Sequence, residues 1–106
     1  MYRNVIIEGD EVDSERDFHR VIANALDFGE YYGNNTDALW DMLSSGMACG
    51  VCINWKKSSV SRKKLGSTFE VIVYLFEKTK DRYQGKGSEK EFEFTLEGIS
   101  NFLMRL

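Results

Sequence analysis

The spacing of apolar residues switches between two periods along this chain. Residues 4–8, Asn-Val-Ile-Ile-Glu, form a short β-branched run closed by Gly9-Asp10, which reads as a strand. The period then lengthens: Phe18, Val21, Ile22, Ala25 and Leu26 fall at i, i+3, i+4, i+7 and i+8, the buried stripe of a helix. Ser14 caps its start, with Asp17 three positions on and acids in the first turn, and Gly29 reads as its stop. Tyr31-Tyr32-Gly33-Asn34 is turn chemistry. Asn35 follows as the N-cap of a short helix over 36–44, with Leu39, Met42 and Leu43 on its inner edge.

Gly46 and Gly50 bracket the next change, and 51–55 is an apolar run suited to a central strand. The basic stretch 56–64 reads as a short helix ended by Gly66. Ser67 and Glu70 then stand at capping-box spacing before a helix over 68–83, carried by Phe69, Ile72, Val73 and Phe76. Residues 70–76 are β-branched enough to suit a strand, but the polar continuation 77–82 favours helix. Residues 84–90 resemble a linker, 91–96 alternate like a strand with one wet face, and 99–106 form a short amphipathic tail. The order β-α-α-β-α-α-β predicts an α/β fold: a small three-stranded parallel sheet packed with about four helices.

With 106 residues, 42% hydrophobic and 13% aromatic, the chain suits one domain over 1–106 with a real core, not a disordered or low-complexity segment. Its longest apolar run, 71–76, is far shorter than a membrane span. The opening Met-Tyr-Arg-Asn-Val has no signal-peptide core, and two cysteines do not make a disulfide framework, so the expectation is a soluble cytoplasmic protein. The net charge of −3 hides two unlike halves. Residues 1–55 hold ten acidic against three basic side chains, and 56–106 hold eleven basic against seven acidic.

Chemistry concentrates in 30–43. On a helix that buries Leu39 and Leu43, Asp37 and Asp41 lie side by side on the outward face. Like charges one turn apart cost about 0.2–0.5 kcal/mol. Such acids are commonly no more than solvated. The alternative is an anionic patch flanked by Tyr31 and Trp40, residue types enriched at binding hot spots, for a basic partner. Other signals are weaker. Cys49 and Cys52 form a lone C-x-x-C that leads into a strand rather than opening a helix, which suits structural thiols better than a redox pair. His19 lies beside the first helix's stripe with no evident catalytic partner. Lys56, Lys57, Arg62, Lys63 and Lys64 read as a solvated basic face rather than a site for direct nucleic-acid binding.

The segment 30–41, Glu-Tyr-Tyr-Gly-Asn-Asn-Thr-Asp-Ala-Leu-Trp-Asp, resembles the signature of the barstar family, intracellular inhibitors of barnase-type ribonucleases. It departs at Thr36, where the family usually carries leucine. The resemblance covers about residues 4–97 and leaves 98–106 as a C-terminal extension. It implies a barstar-like three-stranded fold and a cytoplasmic, non-enzymatic inhibitor without cofactor, metal ion or membrane contact. Its partner is expected to be a cognate nuclease or ribonuclease toxin, bound 1:1. By the same resemblance, Asp41 takes the scissile-phosphate site, and Asp37 meets a second basic residue. Tyr31 lies against the catalytic histidine, Asn35 and Trp40 meet the groove wall, and Ser44 completes the contact set.

Two features depart from the family's type member. Its last long helix carries acidic residues where this chain has Lys78 and Arg82. Its loop after the second helix carries an aromatic residue where Ser44-Ser45-Gly46-Met47 stands here. Both point to a nuclease other than barnase, such as the toxin of a bacterial competition system, with this chain as the immunity protein. Two other classes compete with this reading. One is a small hydrolase using Asp37 and Asp41, whose spacing is short for glycosidase carboxylates; the other is a redox protein using Cys49 and Cys52.

Overall fold

Seven elements follow one another in the order that the two periodicities predict. They are β1 (Arg3–Glu8), α1 (Glu15–Leu26), α2 (Thr36–Met42), β2 (Val51–Lys56), α3 (Ser58–Leu65), α4 (Ser67–Tyr83) and β3 (Phe92–Leu96). They are seen in a computed structural model that describes residues 2–87 and 89–98, so the amphipathic tail expected over 99–106 lies outside the described residues. The sheet order is β1-β2-β3 and both pairings are parallel, giving the predicted α/β fold with β2 at the centre.

Register sorts the strand residues onto two faces. Val5, Ile53 and Phe94 are neighbours across the sheet, as are Ile7, Trp55 and Leu96, and all point to one side. α1 and α4 cover that side. Phe18 stacks on Trp55 with ring centroids 5.3 Å apart. Phe76 packs against Phe92 and Phe94 at 5.6 and 5.4 Å. The opposite face carries Ile6, Asn54 and Thr95 and, among the described residues, has no helix over its exposed positions; Ile6 is 53% exposed. This is why β2 alternates between buried and half-buried residues instead of being apolar throughout, as a strand covered on both faces would be. Among the described residues, no helix is long and apolar enough to cross a membrane.

Helix ends follow local chemistry, with three corrections to the sequence reading. Ser14 caps α1 as expected: its hydroxyl oxygen accepts from the Asp17 N–H, while the Asp17 carboxylate accepts from the Asp13 N–H. The helix stops at left-handed Asp27 (φ 58°), two residues before Gly29, and Phe28 N–H returns to Ala23 O. Aspartate tolerates this conformation better than most residues, so glycine was not required. α2 ends at Met42 rather than at residue 44, widening into a π-helical turn over Leu43–Met47 that Gly46 closes at φ 102°. The Ser67–Glu70 capping box does not form. Gly66 takes the N-cap position directly between α3 and α4, and Glu70 reaches Arg62 at 3.4 Å instead.

The unlike charge halves meet across the fold. Lys57 pairs with Asp10 at 3.2 Å and Lys64 pairs with Asp13, while Lys80 pairs with Glu93 at 3.1 Å inside the second half. Exposed pairs of this kind contribute only about 0–1 kcal/mol each. Their chief consequence is that part of the basic segment 56–64 is neutralised from within.

Gly9, just after β1, lies against the end of β2 and the residue that follows it. A Cβ there would strike the backbone carbonyls of Lys56 and Lys57, which belong to the sheet and its exit and cannot swing away. Gly9→Ala is therefore expected to destabilise the protein by about 1–3 kcal/mol. A lower urea midpoint with an unchanged slope is the checking measurement.

Candidate functional site

The turn before α2 is set by what it buries. Phe28 and Tyr32 are both buried, with ring centroids 4.9 Å apart. The Tyr32 hydroxyl lies 2.7 Å from Nδ1 of fully buried His19, whose Nε2 lies 3.0 Å from the Glu15 carboxylate. His19 is thus a satisfied packing residue that ties α1 to this turn. Its Glu15 partner stands one helical turn away, where the sequence could have shown it. With Tyr32 fixed inward, its neighbour Tyr31 is left 93% exposed.

Asn35 then starts α2. Its Oδ1 accepts from the Ala38 N–H at 2.8 Å, and its Nδ2 donates to Gly33 O at 3.3 Å, so both ends of the amide shape the turn. Leu39 and Leu43 are fully buried and fix the helix's rotation. α4 holds its far end, where the Tyr83 hydroxyl donates to Leu43 O at 3.1 Å. The remaining positions follow from geometry. Asp37 and Asp41 are exposed on the outer face; Trp40 and Ser44 are half-buried. The Ser44 hydroxyl donates to Trp40 O at 2.7 Å and so spends its proton inside the turn.

The structure adds two residues that the sequence reading did not connect with this helix. Lys78 Nζ sits 4.1 Å from the centre of the Trp40 ring and 5.6 Å from that of Tyr74. A cation–π contact at such a site contributes about 0.5–1 kcal/mol. The available signal was the spacing of Tyr74 and Lys78, one turn apart and off the Phe69-Ile72-Phe76 stripe. Their meeting with Trp40 is a tertiary contact that no local pattern encodes.

The competing chemistries find little support. Cys49 and Cys52 are free and half-buried. Burial and then the nearby Glu93 carboxylate push the Cys52 thiol above its ordinary pKa, the reverse of an activated redox thiolate. Glu8, Asp10 and Glu11 bring their carboxylates within 4.8 Å of one another and could approach a cation, but all three are exposed and Asp10 is engaged by Lys57.

Fold and site together define a small α/β protein that presents a short acidic, aromatic-flanked helix braced from behind by a longer one. The family model described as "Barstar (barnase inhibitor)" matches residues 2–97, and the chain belongs to the barstar family. It is also 34% identical over 86 residues to a Bacillus subtilis (strain 168) protein named "Putative ribonuclease inhibitor YrdF", the match covering 77% of this chain and 94% of that protein.

Two measurements test how the site is held. The Tyr32 phenol is pushed above its ordinary pKa by burial and then by the Glu15 carboxylate. The folded state therefore holds this proton more tightly than the unfolded chain, and the associated stability is present below the unfolded phenol's pKa near 10 and declines as pH rises beyond it. Tyr32→Phe is expected to flatten that alkaline decline in urea midpoints. At neutral pH it should cost about 1–3 kcal/mol, because His19 Nδ1 loses its partner. Lys78→Ala uncovers one face of Trp40; acrylamide quenching of tryptophan emission is expected to rise, with Trp55 remaining the protected fraction.

Proposed function

We propose that this protein is a stoichiometric, non-enzymatic inhibitor of a ribonuclease, with α2 and the turn before it entering the enzyme's basic groove. The observation that carries the reading is the pair Asp37 and Asp41: exposed, one turn apart, beside Trp40 and preceded by the bare ring of Tyr31. A nuclease groove is built to hold phosphates, and two fixed carboxylates offer the same charge to the same donors. Asp41 stands in for the scissile phosphate, and Asp37 meets a second cation. Tyr31 faces the catalytic histidine, Trp40 and the outer edge of Asn35 meet the groove wall, and Ser44 supports Trp40 from within the turn. Family membership and the relative named as a ribonuclease inhibitor support this assignment.

The finer reading is of a cytoplasmic immunity protein bound 1:1 to a cognate toxin other than barnase. Lys78 and Arg82 on α4 favour a different target. A hydrolase reading is disfavoured because both aspartates ride the exposed surface of a helix, open to solvent.

Co-purification of the native chain with the products of neighbouring genes, followed by RNA-cleavage assays, tests the proposal. A basic nuclease is expected to bind near 1:1 and lose activity. Asp41→Ala is expected to weaken binding most, by at least about 2 kcal/mol, roughly thirtyfold. Inhibition unchanged by Asp41→Ala would sink the phosphate-mimic role. Ester or glycoside cleavage by the chain alone would favour the hydrolase.

A further inference from the structure

α4 does more than brace α2. With 3.6 residues per turn, Val71, Lys78 and Arg82 share one flank of the helix, with Tyr74 beside them. That flank adjoins α2, because Lys78 Nζ lies over the Trp40 ring as well as near Tyr74. Tyr74 is 61% exposed and Val71 44%. An aromatic surface thus begins at Trp40, passes beneath the Lys78 ammonium and continues to Tyr74.

Charge changes sign along the same surface, from Asp37 and Asp41 on α2 to Lys78 and Arg82 on α4. Some other cations are matched: Lys80 on this very helix pairs with Glu93, and Lys57, Arg62 and Lys64 each find a carboxylate. Among the described residues, Asp37, Asp41, Lys78 and Arg82 have no oppositely charged side chain within 4.0 Å. Unmatched charges of both signs therefore adjoin an exposed aromatic strip, the composition of a surface completed by a partner.

Resting on the reading of α2 as the plug, we propose that Tyr74, Lys78 and Arg82 form a second recognition strip. It selects a ribonuclease whose groove is basic but whose border beside α4 is acidic. The physical reason is differential. A border that is basic as well would press like charges onto Lys78 and Arg82 while Trp40 and Tyr74 exclude water from them, and a cation dried without a counter-charge is costly. An acidic border supplies that counter-charge. The strip rejects wholly basic nucleases as much as it attracts the intended one.

The test uses purified small ribonucleases whose surfaces beside the groove range from basic to acidic. Native protein, the Lys78→Glu/Arg82→Glu double variant and Asp41→Asn are compared by inhibition of RNA cleavage and by calorimetric affinity. The native chain is expected to favour acid-bordered members. The double variant should lose on the order of ten- to a hundredfold in affinity for them and gain for basic-bordered ones. Asp41→Asn should weaken binding to every member that is bound. A ranking unchanged by the double reversal, or a native preference for basic borders, overturns the strip while leaving the Asp41 plug standing. Absence of Asp41-dependent binding to any member overturns both.

Discussion

The indole of Trp55 is the point through which the separate parts of the chain are fastened together. From the central strand it stacks under Phe18 of α1 and meets Phe69 and Phe76 of α4. Its Nε1–H donates to Ser61 of α3, and the Ser61 hydroxyl donates in turn to Gly9 O beyond β1. A large aromatic ring gives much apolar area to a core, but its N–H must also be satisfied once water is gone. Here the satisfying group lies on α3 and is itself anchored past the end of β1. The hydrogen-bond relay therefore fixes α3 against the turn that leaves β1, and Gly9 without a side chain lets that turn close on the Lys56 and Lys57 carbonyls.

α2 depends on this core for its existence. A seven-residue helix has no independent stability, since nucleation alone outweighs so few hydrogen bonds. It persists because Leu39 and Leu43 are buried, Asn35 caps it, Tyr83 holds its last carbonyl turn and the His19–Tyr32 contact fixes the approach. Two like charges one turn apart are tolerated because the helix carrying them is held by its other side. For the proposed inhibitor this is preorganisation: the carboxylates stand in place before a partner arrives, and little conformational freedom remains to be lost.

What the sequence made legible follows the range of the interactions involved. Element order, the Ser14 and Asn35 caps, the α1 stripe and the outward placement of Asp37 and Asp41 are local consequences of spacing, and they appear as expected. The capping box at Ser67–Glu70 failed because its premise was also local. It supposed a free helix start, whereas Gly66 joins α3 to α4 with no residue to spare. The meeting of Lys78 with Trp40 and of Lys64 with Asp13 spans many residues of chain, and no window of sequence contains both partners. The barstar resemblance gave Asp41, Trp40 and Lys78 their suggested places, but not the contact that joins the last two.

The charge asymmetry between the halves of the chain acquires a different sense from this. Part of the apparent dipole closes on itself, as Asp10 and Asp13 take up Lys57 and Lys64 from the basic stretch. Such pairs add little stability, but they remove charge from the field that a partner would feel. At the proposed site, two carboxylates on α2 and two cations on α4 stay without an oppositely charged side chain within 4.0 Å among the described residues, and aromatic rings lie between them. A bulk excess of one sign steers any oppositely charged molecule, whereas adjoining patches of opposite sign act over shorter distances and discriminate by register. For a protein proposed to block one nuclease among many RNA-binding proteins, whose surfaces are commonly basic, that second property supplies what net charge alone cannot.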